Sequence, residues 1–499
     1  CDKDMIYPRC EECGKECTQK YFCRFCGDVD KETCRHGDTN TFKTQDIDIA
    51  YYLDRAKKKL GEKIHPDLIK GVRGTSNKDH LVEHLAKGIL RAKHNVYVNK
   101  DGTIRYDATE LPLTHFKPKE IHTSVEKLRE LGYEKDIKGN LIENDTQIIE
   151  LKPQDVVLSG FNSLEESASI VLTRIANFID NLLVSFYGLK PFYNITKTQD
   201  LVGHLVIGLA PHISAGIVGR IVGFSETQSL IAHPMYHAAM RRDCDGDESC
   251  VMMLMDALLN FSRQYLPERR GAKTMDAPLV LTSTINPAEV DDQVLEMDTV
   301  WKYPLELFEA ALEMKKPWDV VDSNNKKIDQ LSKHIGTPLQ YEGFGFTHDV
   351  DNFNMGVLCS AYKTLPSMAE KLVGQMEIAK IVRAVDMDDV AKLVIQKHFL
   401  KDIKGNLRKF SMQQFRCGKC NTKYRRPPLN SKCSECGNKL MFTISEGSVV
   451  KYLGPSLMLA EKYDFSPYLK QTLDILKDNV DTIFGKEKDK QVGLGSFMG

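Results

Sequence analysis

Three aspartates spaced two residues apart, Asp243, Asp245 and Asp247, carry the strongest chemical signal in the sequence. Carboxylates at positions i, i+2 and i+4 project to one side of an extended or tightly looped backbone. Their mutual repulsion is costly unless a cation neutralises it, and hard divalent ions such as magnesium prefer oxygen ligands of this kind. Gly246 permits the positive φ that wrapping the backbone around an ion requires. The spacing therefore predicts a divalent-metal site.

Two other interpretations of this acidic segment are weaker. A calcium loop of the EF-hand type requires Gly at its sixth position and Glu at its twelfth, where this chain has Glu248 and Leu254. An exposed acidic turn without a ligand is disfavoured, because we expect a helix to begin directly after the loop and to hold it on a buried support. The apolar face of that helix would consist of Val251, Leu254, Met255, Leu258 and Phe261.

Basic residues flank the acidic segment on both sides. A magnesium site beside cations suits phosphoryl transfer, because the metal polarises phosphate oxygens and the cations balance charge on the pyrophosphate. Two histidines upstream, His233 and His237, are as compatible with a hydrogen-bonded core as with catalysis, and we assign them no catalytic role. The candidates for substrate or DNA contact are Arg241, Arg242, Arg269, Arg270 and Lys273.

Eight of the 14 cysteines form four Cys-x-x-Cys pairs, a pattern that indicates zinc rather than disulfides in a chain without a secretory signal. Four thiolates at zinc-ribbon spacing leave no open coordination position, so both metals would be structural. We expect about two zinc ions per chain. The predicted ligands of one ribbon are Cys417, Cys420, Cys433 and Cys436. Those of the other are Cys10, Cys13, Cys23 and Cys26, with Cys1, Cys17, Cys34 and His36 as nearby alternatives.

The long loop of the second ribbon carries the basic stretch Lys423-Tyr424-Arg425-Arg426. Such a stretch is a candidate for contact with phosphates or with a partner. A loop that is only solvated explains it nearly as well.

The composition restricts the class of protein without naming it. The chain has 499 residues, of which 42% are hydrophobic and 27% charged, as in soluble globular proteins with several domains. Lys and Arg number 68 against 69 Asp and Glu, so any nucleic-acid surface must be local. We expect no membrane span, because no stretch of 18 apolar residues occurs. Since the chain begins with Cys, we expect a fragment, a processing product or a splice product.

Periodic and glycine-rich segments indicate the elements that position these residues. Helices are expected at 165–187, Leu305–Lys315 and Met368–Val385. Between Leu201 and Phe224, five glycines interrupt a run of Val, Ile and Leu. Each would cost a helix about 1 kcal/mol, so short strands with bulges and close backbone approaches are expected, as in a compact barrel.

The stretch from His233 to Glu248 resembles the active-site loop of the family-D DNA polymerase large subunit and, more distantly, the Asp-x-Asp-Gly-Asp loop of multisubunit RNA polymerases. Further segments that resemble family-D polymerases are Leu90–Val98, Gly208–His212, Met275–Val280, Phe346–Asp349 and Phe415–Leu429. The likeness is to the carboxy-terminal part of that archaeal subunit. Many family members carry Asn where this chain has Asp243, so the implied metal role rests first on Asp245 and Asp247.

The resemblance implies an α+β multidomain protein with a double-psi β-barrel catalytic core, helical regions and two zinc ribbons. The expected domains are a zinc ribbon (1–40), a mixed α/β accessory region (41–155), the barrel (156–300) and a helical region resembling a DNA clamp (301–410). A second zinc ribbon (411–440), a helical region that docks a small subunit (441–485) and a flexible tail (486–499) would follow.

The tail resembles the short peptide with which replication proteins bind the sliding clamp. In a 3₁₀ turn, residues i and i+3 lie on the same side, so Leu494 and Phe497 would fill an apolar pocket together. Met498 stands where a second aromatic residue is usual. The predicted clamp-binding residues are Gln491, Leu494, Phe497 and Met498.

The resemblance implies a cytoplasmic, magnesium-dependent DNA polymerase that joins deoxynucleoside triphosphates to a primer 3′-hydroxyl. Its expected partners are primer-template DNA, a small subunit with a proofreading exonuclease, and the sliding clamp. Activity would require the upstream part of the large subunit. Two alternatives stay open: an RNA-polymerase-like nucleotidyltransferase, and a non-catalytic zinc-ribbon scaffold that binds DNA or a subunit.

Overall fold

The structure is a computed structural model that describes residues 21–23, 25–29, 33–38, 48–61, 66, 68–72, 83–160, 166–211, 213–262, 279–345, 352–360, 364–442 and 444–484. Two compact units divide the chain, Cys1–Cys359 and Ser360–Gly499. We describe each unit by itself. The predicted helical region 301–410 contributes to both units, since the division falls within it.

Two short antiparallel hairpins come first among the described residues of this unit. Strand β1 (Tyr21–Cys23) pairs with β2 (Gly27–Val29), and β3 (Thr33–Cys34) pairs with β4 (Gly37–Asp38). A further small pair, β6 (His115–Phe116) with β7 (Ile149–Glu150), follows later in the chain.

Six strands form a closed mixed barrel, which confirms the predicted barrel core. Around the barrel the order is β10-β8-β11-β5-β12-β9, and β9 pairs with β10 to close it. The pairs β10–β8 and β11–β5 are parallel and the other four are antiparallel. The strands are β5 (Tyr106–Pro112), β8 (Asp155–Ser159), β9 (Leu205–Leu209), β10 (Ala215–Ser225), β11 (Ser229–Ala232) and β12 (Glu248–Met253). Strand β13 (Val280–Thr282) extends the sheet beside β10.

The glycine-rich segment forms β9 and β10, as predicted, and β10 has a register shift between Ile221 and Gly223. Glycine is required where the barrel wall meets Tyr236. A Cβ on Gly208 or Gly219 would lie 2.6 or 2.7 Å from the Tyr236 hydroxyl. That hydroxyl accepts a hydrogen bond from the Gly208 amide and donates one to the Ile217 carbonyl. The helix that carries Tyr236 is thereby fixed to the barrel.

The barrel also draws on a segment outside the predicted region 156–300, since β5 lies at Tyr106–Pro112. A second difference concerns the segment after the acidic loop. We expected a helix there, but strand β12 comes first and the helix Leu254–Asn260 follows it. Apolar β-branched and sulfur-containing side chains of β12 are buried by pairing with β5 and β9, so strand pairing overrides the helical pattern. The acidic loop nevertheless stands on a buried support.

Helices cover the barrel and fill its core cluster. Among the described residues, one helix, Ala168–Tyr187, has the length and apolar composition that crossing a membrane requires, by those two measures alone. Its Leu172, Ile175 and Phe178 are fully buried in the barrel's core cluster, as in a core helix. The described α-helices of this unit are Ile49–Leu60, Leu85–Lys93, Val125–Glu130, Ala168–Asn181 with a π-helical turn Leu182–Tyr187, Pro234–Ala239, Leu254–Asn260, Asp292–Leu295 and Leu305–Leu312.

The unit Ser360–Gly499 combines a helical core with a small antiparallel sheet. The sheet has the order β15 (Lys423–Tyr424), β14 (Phe415–Cys417), β16 (Leu440–Met441). Buried Leu, Ile and aromatic side chains from several helices form one core cluster. The helices are Met368–Ile381, Met387–Leu393, Leu400–Met412, Glu446–Val450, Leu453–Lys462 and Pro467–Phe484, with a π-helical turn Val394–Phe399.

Candidate metal centre at the barrel edge

The acidic loop joins the helix Pro234–Ala239 to strand β12. Three of its residues have a positive φ: Arg241 at 62°, Cys244 at 63° and Gly246 at 97°. Gly246 adopts the conformation predicted for it. For Arg241 and Cys244 the left-handed region is unfavourable by about 1 kcal/mol or more, so the surrounding structure must hold this sharply turned loop in place.

Glu110 on β5 holds the loop. The residue is 2% exposed, and its Oε1 accepts hydrogen bonds from the backbone amides of Gly246 (3.3 Å) and Asp247 (3.2 Å). The Glu110 amide in turn donates to the Asp247 carbonyl at 3.0 Å. The backbone of the loop is therefore tied to a neighbouring barrel strand.

Glu110 also completes a group of three carboxylates. Oxygen atoms of Glu110, Asp243 and Asp245 all lie within 4.8 Å of one another. Within the described part of the chain, Glu110 Oε2 is buried and has no hydrogen-bond partner. Burial raises the pKa of Glu110, and the charges of Asp247 and Asp245 raise it further. An oxygen-only donor set with an unsatisfied buried carboxylate oxygen fits a hard divalent cation such as magnesium.

Asp247 lies apart from this group. Its Oδ2 accepts a hydrogen bond from Arg242 Nη1 at 3.0 Å. The family resemblance placed the metal role on Asp245 and Asp247 before Asp243, whereas the structure groups Asp243 with Asp245. The side chains of Asp243, Asp245 and Asp247 are all exposed to solvent, so the loop presents them outward above the buried Glu110.

Both upstream histidines are buried parts of the framework. His233 caps the helix Pro234–Ala239, because its Nδ1 accepts a hydrogen bond from the Met235 amide at 3.1 Å. His237 donates from Nε2 to the Leu111 carbonyl at 3.3 Å, and its Nδ1 lies 3.5 Å from Glu110 Oε2. Burial lowers the pKa of His233 to about 3 and that of His237 to about 4. In these positions the neutral histidines stabilise the backbone next to the acidic loop through hydrogen bonds.

Two of the five predicted flanking cations lie within the described residues. Arg241 is exposed beside the acidic loop and Arg242 is paired with Asp247. The other three predicted contact residues, Arg269, Arg270 and Lys273, lie outside the described residues, as do the tail residues Gln491, Leu494, Phe497 and Met498.

Glu110 was missed by the sequence analysis, although the sequence contains a signal for it. Tyr106, Ala108 and Glu110 alternate along β5 and are all buried. A carboxylate at an inward position of a strand requires a partner. The pattern can be interpreted only once the segment is recognised as a strand. That Glu110 contacts the acidic loop can be known only from the pairing of β5 with β12.

Residues 61–371 match the family described as "DNA polymerase II large subunit DP2, catalytic domain". The chain is 49% identical to the DNA polymerase II large subunit of Archaeoglobus fulgidus over 100% of the chain and 43% of that protein. The subunit from Pyrococcus furiosus is 48% identical over 97% of the chain and 37% of its own length.

The chain belongs to the DNA polymerase II large-subunit family.

The predicted resemblance to family-D polymerases is thereby confirmed. The chain spans 37% to 43% of the length of the two relatives named above. The family match includes the barrel and the acidic loop but ends before the carboxy-terminal cysteine cluster.

The carboxy-terminal cysteine cluster of this polymerase-family chain has the predicted zinc-ribbon ligands. The Sγ atoms of Cys417 and Cys436 lie 3.3 Å apart, and Cys420 Sγ lies 3.4 Å from both Cys433 and Cys436. Four sulfur atoms gathered at this distance around one point fit a tetrahedral zinc ion. The ligand atoms all lie within 4.8 Å of one another.

Within the described residues, the amino-terminal cluster combines two of the predicted ligands with two of the nearby alternatives. Its four members are Cys23, Cys26, Cys34 and His36. His36 Nδ1 lies 3.1 Å from Cys26 Sγ and 3.8 Å from the Sγ atoms of both other cysteines. Hairpin β3–β4 brings Cys34 and His36, which were alternatives in the prediction, to the predicted ligands Cys23 and Cys26. The described residues therefore contain a three-sulfur, one-nitrogen set that fits zinc. The predicted ligands Cys10 and Cys13 lie outside the described residues.

Proposed function

We propose that this chain is the catalytic part of an archaeal replicative DNA polymerase that adds deoxynucleotides to a primer 3′-hydroxyl. The observation that carries the proposal is the convergence of Glu110, Asp243 and Asp245 at the edge of a closed barrel. Membership in the DNA polymerase II large-subunit family supports the same reaction. Because the chain covers less than half of the relatives' length, we propose that activity needs the upstream part of the large subunit.

Asp243, Asp245 and Glu110 would hold magnesium, and Asp247 would join them on release from Arg242. When bound, magnesium would polarise phosphate oxygens and favour the alkoxide form of the primer 3′-hydroxyl. The protein's own contribution is to hold the carboxylate side chains close together. Glu110 does so through the amides of Gly246 and Asp247, and Tyr236 does so by fixing the preceding helix to the barrel wall.

Arg241 and Arg242 would orient the triphosphate or the DNA backbone, because guanidinium groups bind phosphate oxygens in a bidentate manner. We assign the same task to Arg269, Arg270 and Lys273. Arg242 is held in an ion pair with Asp247, and if Asp247 served as a metal ligand, Arg242 would be free to contact an incoming phosphate.

The two cysteine clusters would each hold one structural zinc ion, since four protein ligands leave no position for a substrate. We further propose that the helices after the second ribbon dock a small subunit that carries a proofreading exonuclease. The tail residues Gln491, Leu494, Phe497 and Met498 would bind the sliding clamp. The assembled enzyme would act on chromosomal primer-template DNA in the cytoplasm.

A primer-extension assay tests the central proposal. The chain is co-expressed with the upstream part of the large subunit and the small subunit, and extension is measured with deoxynucleotides and with ribonucleotides. We expect magnesium-dependent extension with deoxynucleotides. Extension with ribonucleotides only would favour an RNA-polymerase-like enzyme, and DNA binding without any extension would favour a scaffold.

A further inference from the structure

A basic groove lies within the unit Ser360–Gly499, and none of the barrel-edge residues lines it. It has a volume of about 690 Å³ and is bordered by the end of the helix Leu400–Met412 and by strands β14 and β15. The described residues that line it include four cations and no acid. Since the whole chain has 68 basic and 69 acidic residues, this is a local concentration of positive charge. The four cations are Arg408, Lys409, Arg416 and Lys423.

Two of these cations are direct cross-strand neighbours. Arg416 on β14 pairs in register with Lys423 on β15, so both side chains lie on the same face of the sheet. Like charges placed directly opposite one another destabilise a strand pair. Arg408 and Lys409 add two further positive charges from the helix Leu400–Met412, which also lines the groove. An anionic ligand would relieve this repulsion.

The walls of the groove are fixed by hydrogen bonds and by the zinc ribbon. Gln413 Oε1 accepts from the Ile444 amide at 2.7 Å, and Gln413 Nε2 donates to the Ile444 carbonyl at 3.3 Å. Arg416 directly precedes the zinc ligand Cys417, and Lys423 precedes Tyr424, whose hydroxyl lies 3.1 Å from Cys433 Sγ. The cations are therefore carried on a framework that is already in place before a ligand binds.

We propose that this groove binds the sugar-phosphate backbone of DNA. Backbone phosphates attract grouped Lys and Arg side chains irrespective of base sequence. Met412 and Ile444 add apolar surface to the lining, which suits the faces of the sugars. The groove shares no residue with the acidic loop, so DNA binding here requires neither nucleotides nor the acidic loop.

The test is a salt titration of DNA binding. The full chain is mixed with a fluorescently labelled primer-template duplex, without nucleotides, and affinity is measured by anisotropy at several salt concentrations. Each phosphate contact contributes about 0.9 to the slope of log affinity against log salt. The double substitution Arg416→Gln/Lys423→Gln is therefore expected to lower the slope by about 1.8 and to weaken binding roughly 60-fold at about 0.1 M salt.

A second pair of cations that face each other in the same ribbon, both of them lysines, provides the matched control. Lys432 and Lys439 face each other across an isolated bridge, are exposed, and lie outside the groove. Lys432→Gln/Lys439→Gln removes the same charge and is expected to leave the slope unchanged. If both pairs reduce binding equally, the effect is general electrostatics and the proposal is overturned.

A third variant tests whether the loss of binding results from lost charge or from a disrupted sheet, because its substitutions lie outside the strands. Arg408→Gln/Lys409→Gln reaches the groove from the helix and is expected to lower the slope by the same amount, with the zinc content of all variants checked by elemental analysis. An unchanged slope in this variant overturns the proposal. So does a loss of small-subunit binding with the DNA slope preserved, which would make the groove a protein contact. None of these outcomes depends on whether the barrel catalyses nucleotide addition.

Discussion

The carboxy-terminal zinc ribbon and the barrel-edge carboxylates both gather metal ligands, but they do so by different routes. In the ribbon, Cys417 and Cys436 are 19 residues apart, and two tight turns bring the four sulfur atoms together. At the barrel edge, Glu110 and Asp247 are 137 residues apart and meet because their strands are neighbours in the barrel. The first site is a local property of the chain and the second a property of its topology.

The two sites also differ in what supports them without metal. The ribbon sheet has three strands of two or three residues, and Cys417 and Cys433 are its main buried members. The barrel rests on a large cluster of fully buried side chains and on the tyrosine that fixes its helix. The ribbon should therefore fold only with its zinc ion bound, whereas the barrel should remain folded without a metal ion.

Zinc removal should give the largest effect and test this contrast directly. Chelation, or the substitution Cys433→Ser, removes a metal whose binding supplies about 10–16 kcal/mol to small zinc domains. Hydrogen exchange should then become fast in 415–441, while β5 and β12 stay protected. Cys359→Ser, at a cysteine outside both clusters, serves as the control, and elemental analysis should find about two zinc ions per chain. A ribbon that keeps its protection after chelation would contradict this dependence.

The barrel should show the opposite behaviour: loss of function with the fold retained. We expect Asp245→Ala, and also Asp247→Ala, to abolish nucleotide addition in the assembled enzyme, by about 10³-fold or more, while DNA binding and melting temperature stay nearly unchanged. Asp243→Asn should be milder. Primer extension is the measurement, with Glu248→Gln as a control at the next carboxylate along the chain. Wild-type extension rates in Asp245→Ala would reject the metal assignment.

Glu110 distinguishes the barrel-edge site further from the zinc ribbon, because only the pairing of barrel strands brings this residue to the acidic loop. Glu110→Gln keeps an acceptor for the loop amides but removes the charge, so we expect a 10- to 100-fold loss of activity with little loss of stability. Glu110→Ala leaves the amides of Gly246 and Asp247 without an acceptor, which should also cost about 1–3 kcal/mol of unfolding free energy.

The control for Glu110→Gln is Glu120→Gln. Glu120 is also buried, burial also raises its pKa, and it accepts a hydrogen bond from the Lys117 amide away from the acidic loop. This change should leave primer extension intact. Equal losses in the Glu110 and Glu120 variants would mean that the effect of Glu110 is one of general stability.

The substitution in the tail has the smallest expected effect. The tail motif depends only on residues that are close together in the sequence. A peptide covering Lys488–Gly499 should bind the sliding clamp of the same organism, and Phe497→Ala should weaken that binding by about 2 kcal/mol, since buried aromatic anchors dominate small interfaces. In the full enzyme, clamp-dependent processivity should fall while clamp-independent extension stays constant. Calorimetry that gives equal affinities for both peptides would reject this docking mode.

Several features could be inferred from the sequence because they depend on neighbouring residues. The spacing of Cys417, Cys420, Cys433 and Cys436 predicted the gathered sulfur atoms, since two knuckles need no distant partner. The glycine-rich run predicted strands, because glycine at that density disfavours a helix and permits the close approach of Tyr236 to Gly208 and Gly219. The acidic loop and the positive φ of Gly246 were likewise visible in the spacing of residues.

Tertiary structure decided what depends on residues far apart in the chain. The barrel takes strand β5 from a segment assigned to another region, and that strand supplies Glu110. Hairpin β3–β4 delivers Cys34 and His36 to the amino-terminal cluster. Strand pairing also turned the expected helix after the acidic loop into β12. In each case the energy comes from hydrogen bonds and burial between segments that the sequence does not place side by side, so no local pattern could select among the possible partners.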